Sequence, residues 1–229
     1  MSSSSAAPLG ASSDLLWEEA YRRFETPEEE ISKFMKRLQQ LGADRWPKDS
    51  NVVELFCGRG NGLHALARLG FTRVQGIDLS PTLVAQYQGP GICQVGDCRQ
   101  LTLEDSSQDI VIVQGGLHHL QTLPDDLERT LAEARRVLRL DGRLVIVEPW
   151  LTPFLRFVHV ICESQLVRRL WPKLDALATM IHYERATYER WLNQPQLIRV
   201  QLARYFQVET SVADWGKLMF VGRKRHASA

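Results

Sequence analysis

Short runs of β-branched and apolar residues recur through the middle of this chain, separated by stretches that read as helix or tight turn. Residues 51–56, 73–77, 92–95, 109–113 and 143–147 are such runs. The fourth, Asp109 followed by Ile-Val-Ile-Val, has the composition of a strand covered on both faces. A glycine loop and a helix through Leu69 follow the first run. A helix over residues 124–138 and an Asp141-Gly142 turn precede the fifth. Alternation of this kind leaves few solutions and predicts an α/β domain, a mostly parallel sheet with helices on both faces. The end of the chain breaks the pattern. Residues 206–211 and 218–222 are strand-like runs joined by a short connection, which predicts an antiparallel hairpin at the sheet edge.

Two helices are expected before the first strand. Residues 14–24 carry Leu15, Leu16, Trp17, Ala20, Tyr21 and Phe24 at helical spacing. Thr26-Pro27-Glu28-Glu29 is a capping box with proline at the first helical position. It starts a helix to about Gln40, which Gly42 stops. Residues 1–13, rich in serine, read as a disordered arm. A long helical insertion over residues 151–194 follows the fifth strand, where open α/β sheets bind their ligands.

Composition narrows the function classes. A net charge of +1 supplies no overall field for nucleic acid or an anionic membrane. The longest apolar stretch, 144–167, is broken by Glu148, Pro149, Pro153, Arg156, His159 and Glu163, so no membrane span is expected. The opening residues lack the charged and apolar regions of a secretory signal. Cys57, Cys93, Cys98 and Cys162 show no metal-ligand spacing; they read as reduced thiols of a cytoplasmic protein with no metal.

The chemistry concentrates in Glu54-Leu55-Phe56-Cys57-Gly58-Arg59-Gly60-Asn61-Gly62, between a strand and a helix. Glycines there allow a ligand close to the backbone, and the helix start offers free N–H groups. Such a turn alone would also suit a dinucleotide. Leu63, however, stands where a dinucleotide fingerprint has its third glycine, and Glu54 would repel a pyrophosphate while welcoming a cation. Asp78 ends the second strand, beside the place of a ribose diol.

With these residues in register, residues 51–149 resemble the core of a class I S-adenosylmethionine-dependent methyltransferase of the small-molecule type. The motifs VVELFCGRGNG, VQGIDLS, VGDCRQL, DIVIVQGGLHHL and LRLDGRLVIVEP appear in order. The resemblance implies a Rossmann-like sheet of seven strands with the last antiparallel. It also implies S-adenosylmethionine as cofactor and S-adenosylhomocysteine as product. By the same resemblance, Gly58 and Gly60 hold the methionine part, with Glu54 on its ammonium side and the Gln114 carbonyl receiving that ammonium. Asp78 takes the ribose hydroxyls, Leu79 packs on adenine, and Asp97 and the Cys98 N–H meet the adenine edge. Residues 14–229 then form a single domain: cap helices 14–48, a cofactor-binding core 49–149, a helical lid 150–195, and a final helix and hairpin 196–229.

Methyl transfer is an in-line displacement that often requires removal of one proton. His118 and His119, after the fourth strand, are the candidate bases. Tyr21, Arg156, His159, Tyr183 and Tyr188 are candidate substrate residues from the covering helices. Arg156, His159 and Glu163 form a stripe at i, i+3 and i+7. A cover built from both ends of the chain favours an enclosed small molecule, with oxygen or nitrogen as acceptor and the protein a monomer or homodimer. Two alternatives stay open: a non-catalytic methyltransferase-like subunit, and a nicotinamide-dependent oxidoreductase.

Overall fold

The most β-branched strands lie at the centre of the sheet, where helices cover both faces. The computed structural model describes residues 10–225. In it β1 (Asn51–Leu55), β2 (Arg73–Asp78), β3 (Ile92–Val95), β4 (Gln108–Gln114), β5 (Leu138–Pro149), β6 (Phe206–Asp214) and β7 (Lys217–Lys224) form one sheet, in the order β3-β2-β1-β4-β5-β7-β6. β1 to β5 pair in parallel, and β7 runs antiparallel to both β5 and β6. This is the Rossmann-like sheet with a reversed last strand that the alternation and the hairpin predict.

The helices are α1 (Gly10–Phe24), α2 (Pro27–Gln40), α3 (Asn61–Arg68), α4 (Pro81–Gln86), α5 (Asp125–Val137), α6 (Pro153–Glu163), α7 (Gln165–Leu170), α8 (Pro172–Leu192) and α9 (Pro195–Tyr205). Side chains alternate across the strands, so β4 sends Ile110 and Ile112 to one core and Val111 and Val113 to the other. The first core holds Leu38 of α2 and Leu63 and Leu66 of α3; the second holds residues of α5, α8 and α9. Each fully buried aliphatic side chain contributes about 1.5–3 kcal/mol.

The capping box forms as the sequence predicts: Thr26 Oγ1 accepts from the Glu29 N–H at 3.3 Å, and the Glu29 carboxylate accepts from the Thr26 N–H at 3.0 Å. Two boundaries need correction. α1 already includes residues 10–13, assigned above to a disordered arm; the rest of that arm lies outside the described residues. β5 begins at Leu138 rather than at 143. Leu138 pairs with Gln108 and Arg143 with Ile110, so the extra residues arch out as a bulge with Asp141 at a φ of 61°. α4 was not anticipated; Ser80 caps it and Pro81 occupies its first turn.

β1 leads outward to β2, whereas β4 leads the opposite way to β5. Their C-terminal ends therefore flank the switch point where such sheets bind ligands. α6, α7 and α8 follow β5 at this edge, and α1 packs on α8 to complete the cover. Two ion pairs tie the pieces together: Arg23–Asp175 at 3.4 Å and Lys173–Glu29 at 2.7 Å.

Candidate functional site

On the α3 side of the sheet, β1 ends in a tight loop. Phe56, Gly58 and Gly60 have φ values of 59°, 52° and 78°. The Asp78 carboxylate braces this loop, accepting from the Gly58 N–H at 2.7 Å and from the Ser80 N–H at 2.9 Å. Nothing lies within 4 Å of where a Cβ on Gly58 or Gly115 would sit, so the ends of β1 and β4 border open space. At Gly60 that position is filled by the ring of Tyr87.

Two buried polar atoms accompany this space. Glu54 and Gln114 share the parity of Val52 and Ile112 and so face the α3 side. Glu54 Oε2 and Gln114 Oε1 are buried and lack a hydrogen-bond partner among the described residues. Burial, followed by the charges of Glu30 and Asp78, pushes the Glu54 carboxyl well above the usual range. Gly62 makes this placement possible, since any Cβ there would overlap the Glu54 carboxylate at the start of α3. An incoming cation would relieve both the desolvation and the unmet acceptors.

Farther along the edge, Leu79 is 67% exposed. The Asp97 carboxylate is already engaged: Arg99 donates from its backbone N–H and Nε at 2.9 Å each and from Nη2 at 2.7 Å, while its Nη1 reaches Asp126. Cys98 is buried with its Sγ 3.5 Å from Thr130 Oγ1.

On the opposite face a second group forms around Glu148, the next-to-last residue of β5 and fully buried. Its Oε1 accepts from the N–H groups of Gly116 and Leu117 at 2.7 and 2.8 Å, and its Oε2 lies 2.8 Å from His118 Nδ1. It therefore fixes the short helical turn Leu117–His119 against the sheet end. Burial would lower the His118 pKa, but the hydrogen bonds and charges of Glu148 and Glu184 outweigh it and raise the value to about 9. The same donors hold Glu148 below the usual carboxyl range despite burial. His119 is pushed the other way, to about 4, by burial and then by the His118 charge.

α8 delivers Glu184 and Tyr188 to this group. Glu184 lies 3.7 Å from His118 Nε2 and 3.6 Å from His119 Nδ1. Tyr188 meets the His118 ring edge-on at 5.9 Å, and its hydroxyl lies 3.2 Å from His159 Nε2 on α6. Donor atoms of His118, His119 and Glu184 fall within 4.8 Å of one another, a spacing that would suit a divalent cation if His118 were neutral. From α1, Trp17 approaches His119 edge-on at 6.5 Å and stacks on Tyr21 at 5.1 Å. Burial and then Glu30 raise the Tyr21 pKa, and Glu30 also accepts from the Asn61 side chain at the start of α3.

Of the residues singled out in the sequence, Glu54, Gly58, Gly60, Asp78 and Gln114 meet at one end of the sheet. His118, His119, His159 and Tyr188 meet across it. Arg156 and Tyr183 do not join them; both are exposed. On α8, Tyr183 precedes Glu184 by one residue and so points about 100° away from the inward stripe that Glu184 and Tyr188 share at i, i+4. The stripe Arg156–His159–Glu163 splits likewise, with only His159 turned inward. Glu148 and Glu184 were missed. A signal for the first existed: Glu148 is the one charged residue after an uninterrupted apolar strand run, Leu144 to Val147.

Comparison with known proteins agrees with this geometry. Residues 53–146 match the family described as "Methyltransferase domain". Over these residues the chain is similar to a methyltransferase domain. An uncharacterized 37.1 kDa protein in a transposon of Streptomyces fradiae is 40% identical over 128 residues, covering 52% of this chain and 36% of that protein. A demethylmenaquinone methyltransferase of Thermotoga maritima is 31% identical over 121 residues, covering 51% and 50%. The chain thus spans half or less of the length of these curated relatives. The crystal structure of the PH0226 protein from Pyrococcus horikoshii superposes with a TM-score of 0.65 at 19% identity, covering 91% of this chain and 98% of the other. The glycine loop after β1, Asp78 after β2 and Gln114 after β4 all fall within the matched residues, whereas Glu148 and the covering helices lie beyond them.

Proposed function

We propose that this protein transfers the methyl group of S-adenosylmethionine to an enclosed small molecule bearing an O–H or N–H group. The observation that carries this reading is the pair of unpartnered buried acceptors, Glu54 Oε2 and Gln114 Oε1, beside the open space at Gly58 and Gly115. An ammonium group answers the need of Glu54, whereas a pyrophosphate would be repelled, which disfavours a nicotinamide dinucleotide. When bound, the cofactor supplies a methyl group made electrophilic by its sulfonium.

In this reading the loop at Gly58 and Gly60 and the Gln114 carbonyl seat the methionine part. Asp78 accepts from the ribose hydroxyls in place of one backbone donor, and Leu79 covers adenine. Cys98 and Asp97 border the adenine edge, where Asp97 accepts a new donor only if Arg99 yields one of its bonds. His118, protonated and held between Glu148 and Glu184, is a positioning residue. His119, whose affinity for a proton burial and the His118 charge hold low, accepts a hydrogen bond from the O–H or N–H of the acceptor and orients it toward the methyl group. Tyr188, His159, Trp17 and Tyr21 exclude water from the acceptor.

Calorimetric titration with S-adenosylmethionine, S-adenosylhomocysteine and NAD tests the reading. Micromolar binding of the first two and none of NAD is expected. Glu54→Gln should weaken the first two about tenfold or more, the loss expected for one charge-assisted contact. Binding of NAD, or of nothing, would overturn it. Cofactor binding without methyl transfer to any acceptor, in a chain whose His119→Ala variant behaves like wild type, would favour the non-catalytic subunit.

A further inference from the structure

The covering helices have a second face. α6 turns Phe154, Phe157 and Val160 outward at i, i+3 and i+6, and α7 turns out Leu166 and Leu170, the latter 79% exposed. Trp171 extends the patch at the junction with α8. An independent element adds to it. The β6–β7 hairpin places Trp215 at its tip, 70% exposed and packed on Phe154 at 5.0 Å. Trp215 has a φ of 47°, a conformation that costs a bulky residue about 1 kcal/mol or more and that Gly or Asn would adopt more readily. Contact with Phe154 and a hydrogen bond from the Trp215 backbone N–H to the Asp214 carboxylate at 2.8 Å hold this conformation, and most of the indole stays in solvent.

The charges around the patch lean to one sign. Residues 150–175 contain Arg156, Arg168, Arg169 and Lys173 against Glu163 and Asp175, and Asp214 precedes Trp215, which leaves a modest basic excess around the patch. Arg168 pairs with Asp175 and Lys173 with Glu29, while exposed Arg156 and Arg169 make no ion pair among the described residues. Aromatic and aliphatic side chains rimmed by free guanidinium groups are the composition of a surface that lies in a lipid headgroup layer.

We propose that the outer face of α6 and α7, with Trp171 and Trp215, docks on an anionic lipid bilayer. No helix among the described residues is long and apolar enough to cross a membrane, so the contact is peripheral. α6 carries His159 on its inner face, and α8, which follows α7 directly, carries Glu184 and Tyr188. Docking therefore sets the cover of the site against the hydrocarbon, from which an apolar acceptor enters without crossing water. That last consequence rests on the proposed methyl transfer; the docking itself does not.

Co-sedimentation of the full chain with phosphatidylcholine vesicles, with and without phosphatidylglycerol, tests the proposal. Binding to the anionic vesicles is expected, weakened at least about tenfold on neutral vesicles and by raised salt. The triple variant Phe157→Ser, Leu170→Ser, Trp215→Ser should lose it with an unchanged circular dichroism spectrum and melting temperature. Should that variant misfold, Arg156→Glu with Arg169→Glu asks the same question through charge alone and should abolish the preference for anionic lipid. No vesicle binding, or equal binding to both compositions, overturns the proposal. So does a dimer in solution that the triple variant dissociates, which would make the patch an interface between copies. Failure of S-adenosylmethionine to bind in the separate titration would sink the enzymatic reading and leave these outcomes intact.

Discussion

At the scale of single residues, the informative positions are buried charges with unequal partnerships. Glu54 is buried with an unmet acceptor, and Glu148 is buried with three donors. The first is the proposed contact of a cationic ligand; the second braces the turn after β4, and replacing it with alanine should destabilise the protein by roughly 3–5 kcal/mol in denaturant titration. The pH dependence follows from His118. Its folded pKa of about 9 exceeds the ordinary histidine value of 6.5, so its bonds to Glu148 and Glu184 contribute fully below pH 6.5. That contribution is lost as pH rises through about 9. Stability measured across this window should decline in the wild type and decline less, from a lower level, in Glu148→Gln, where Glu184 still faces the ring. A wild-type profile without the decline would mean that His118 is neutral throughout, and would remove the objection to a cation at His118, His119 and Glu184.

Among elements, those marked by local chemistry were the most legible. The capping box of α2 identified its start to the residue, and Thr26→Ala should cost about 1 kcal/mol by thermal unfolding. β4 was found from its apolar run, because burial on both faces leaves no other composition, whereas β3 was found from its β-branched residues although it is an exposed edge strand. β5 was read five residues short, since the bulge at Asp141 has the sequence of a turn and only its long-range pairing with Gln108 reveals a strand. α4 was missed because six residues carry too little periodicity to see. The site was legible to the same degree. Residues on loops after strands could be placed from topology, whereas Glu184 and Tyr188 depend on the angle at which α8 lies over the sheet. A 21-residue helix with apolar, aromatic and charged residues on most of its faces does not announce that angle.

For the molecule as a whole, the cover is joined to the rest by exposed ion pairs, Arg23–Asp175 and Lys173–Glu29, of the kind worth less than about 1 kcal/mol each. Removing both, by Arg23→Ala with Lys173→Ala, should leave the melting temperature within a few degrees of wild type. Amide exchange in α7 and the start of α8 should nonetheless accelerate, as the cover opens more often. Unchanged exchange would show that apolar packing of α1 on α8 alone keeps it closed. The matched family domain ends at residue 146, before Glu148 and before any residue of α6 to α8, and it begins after α1 and α2. In the proposed reading, donor handling is written within the matched stretch, and the residues that enclose the acceptor, His118 and His119 apart, lie outside it. A lineage can diversify the second while inheriting the first unchanged, and kinship detected through the core says little about which molecule leaves methylated.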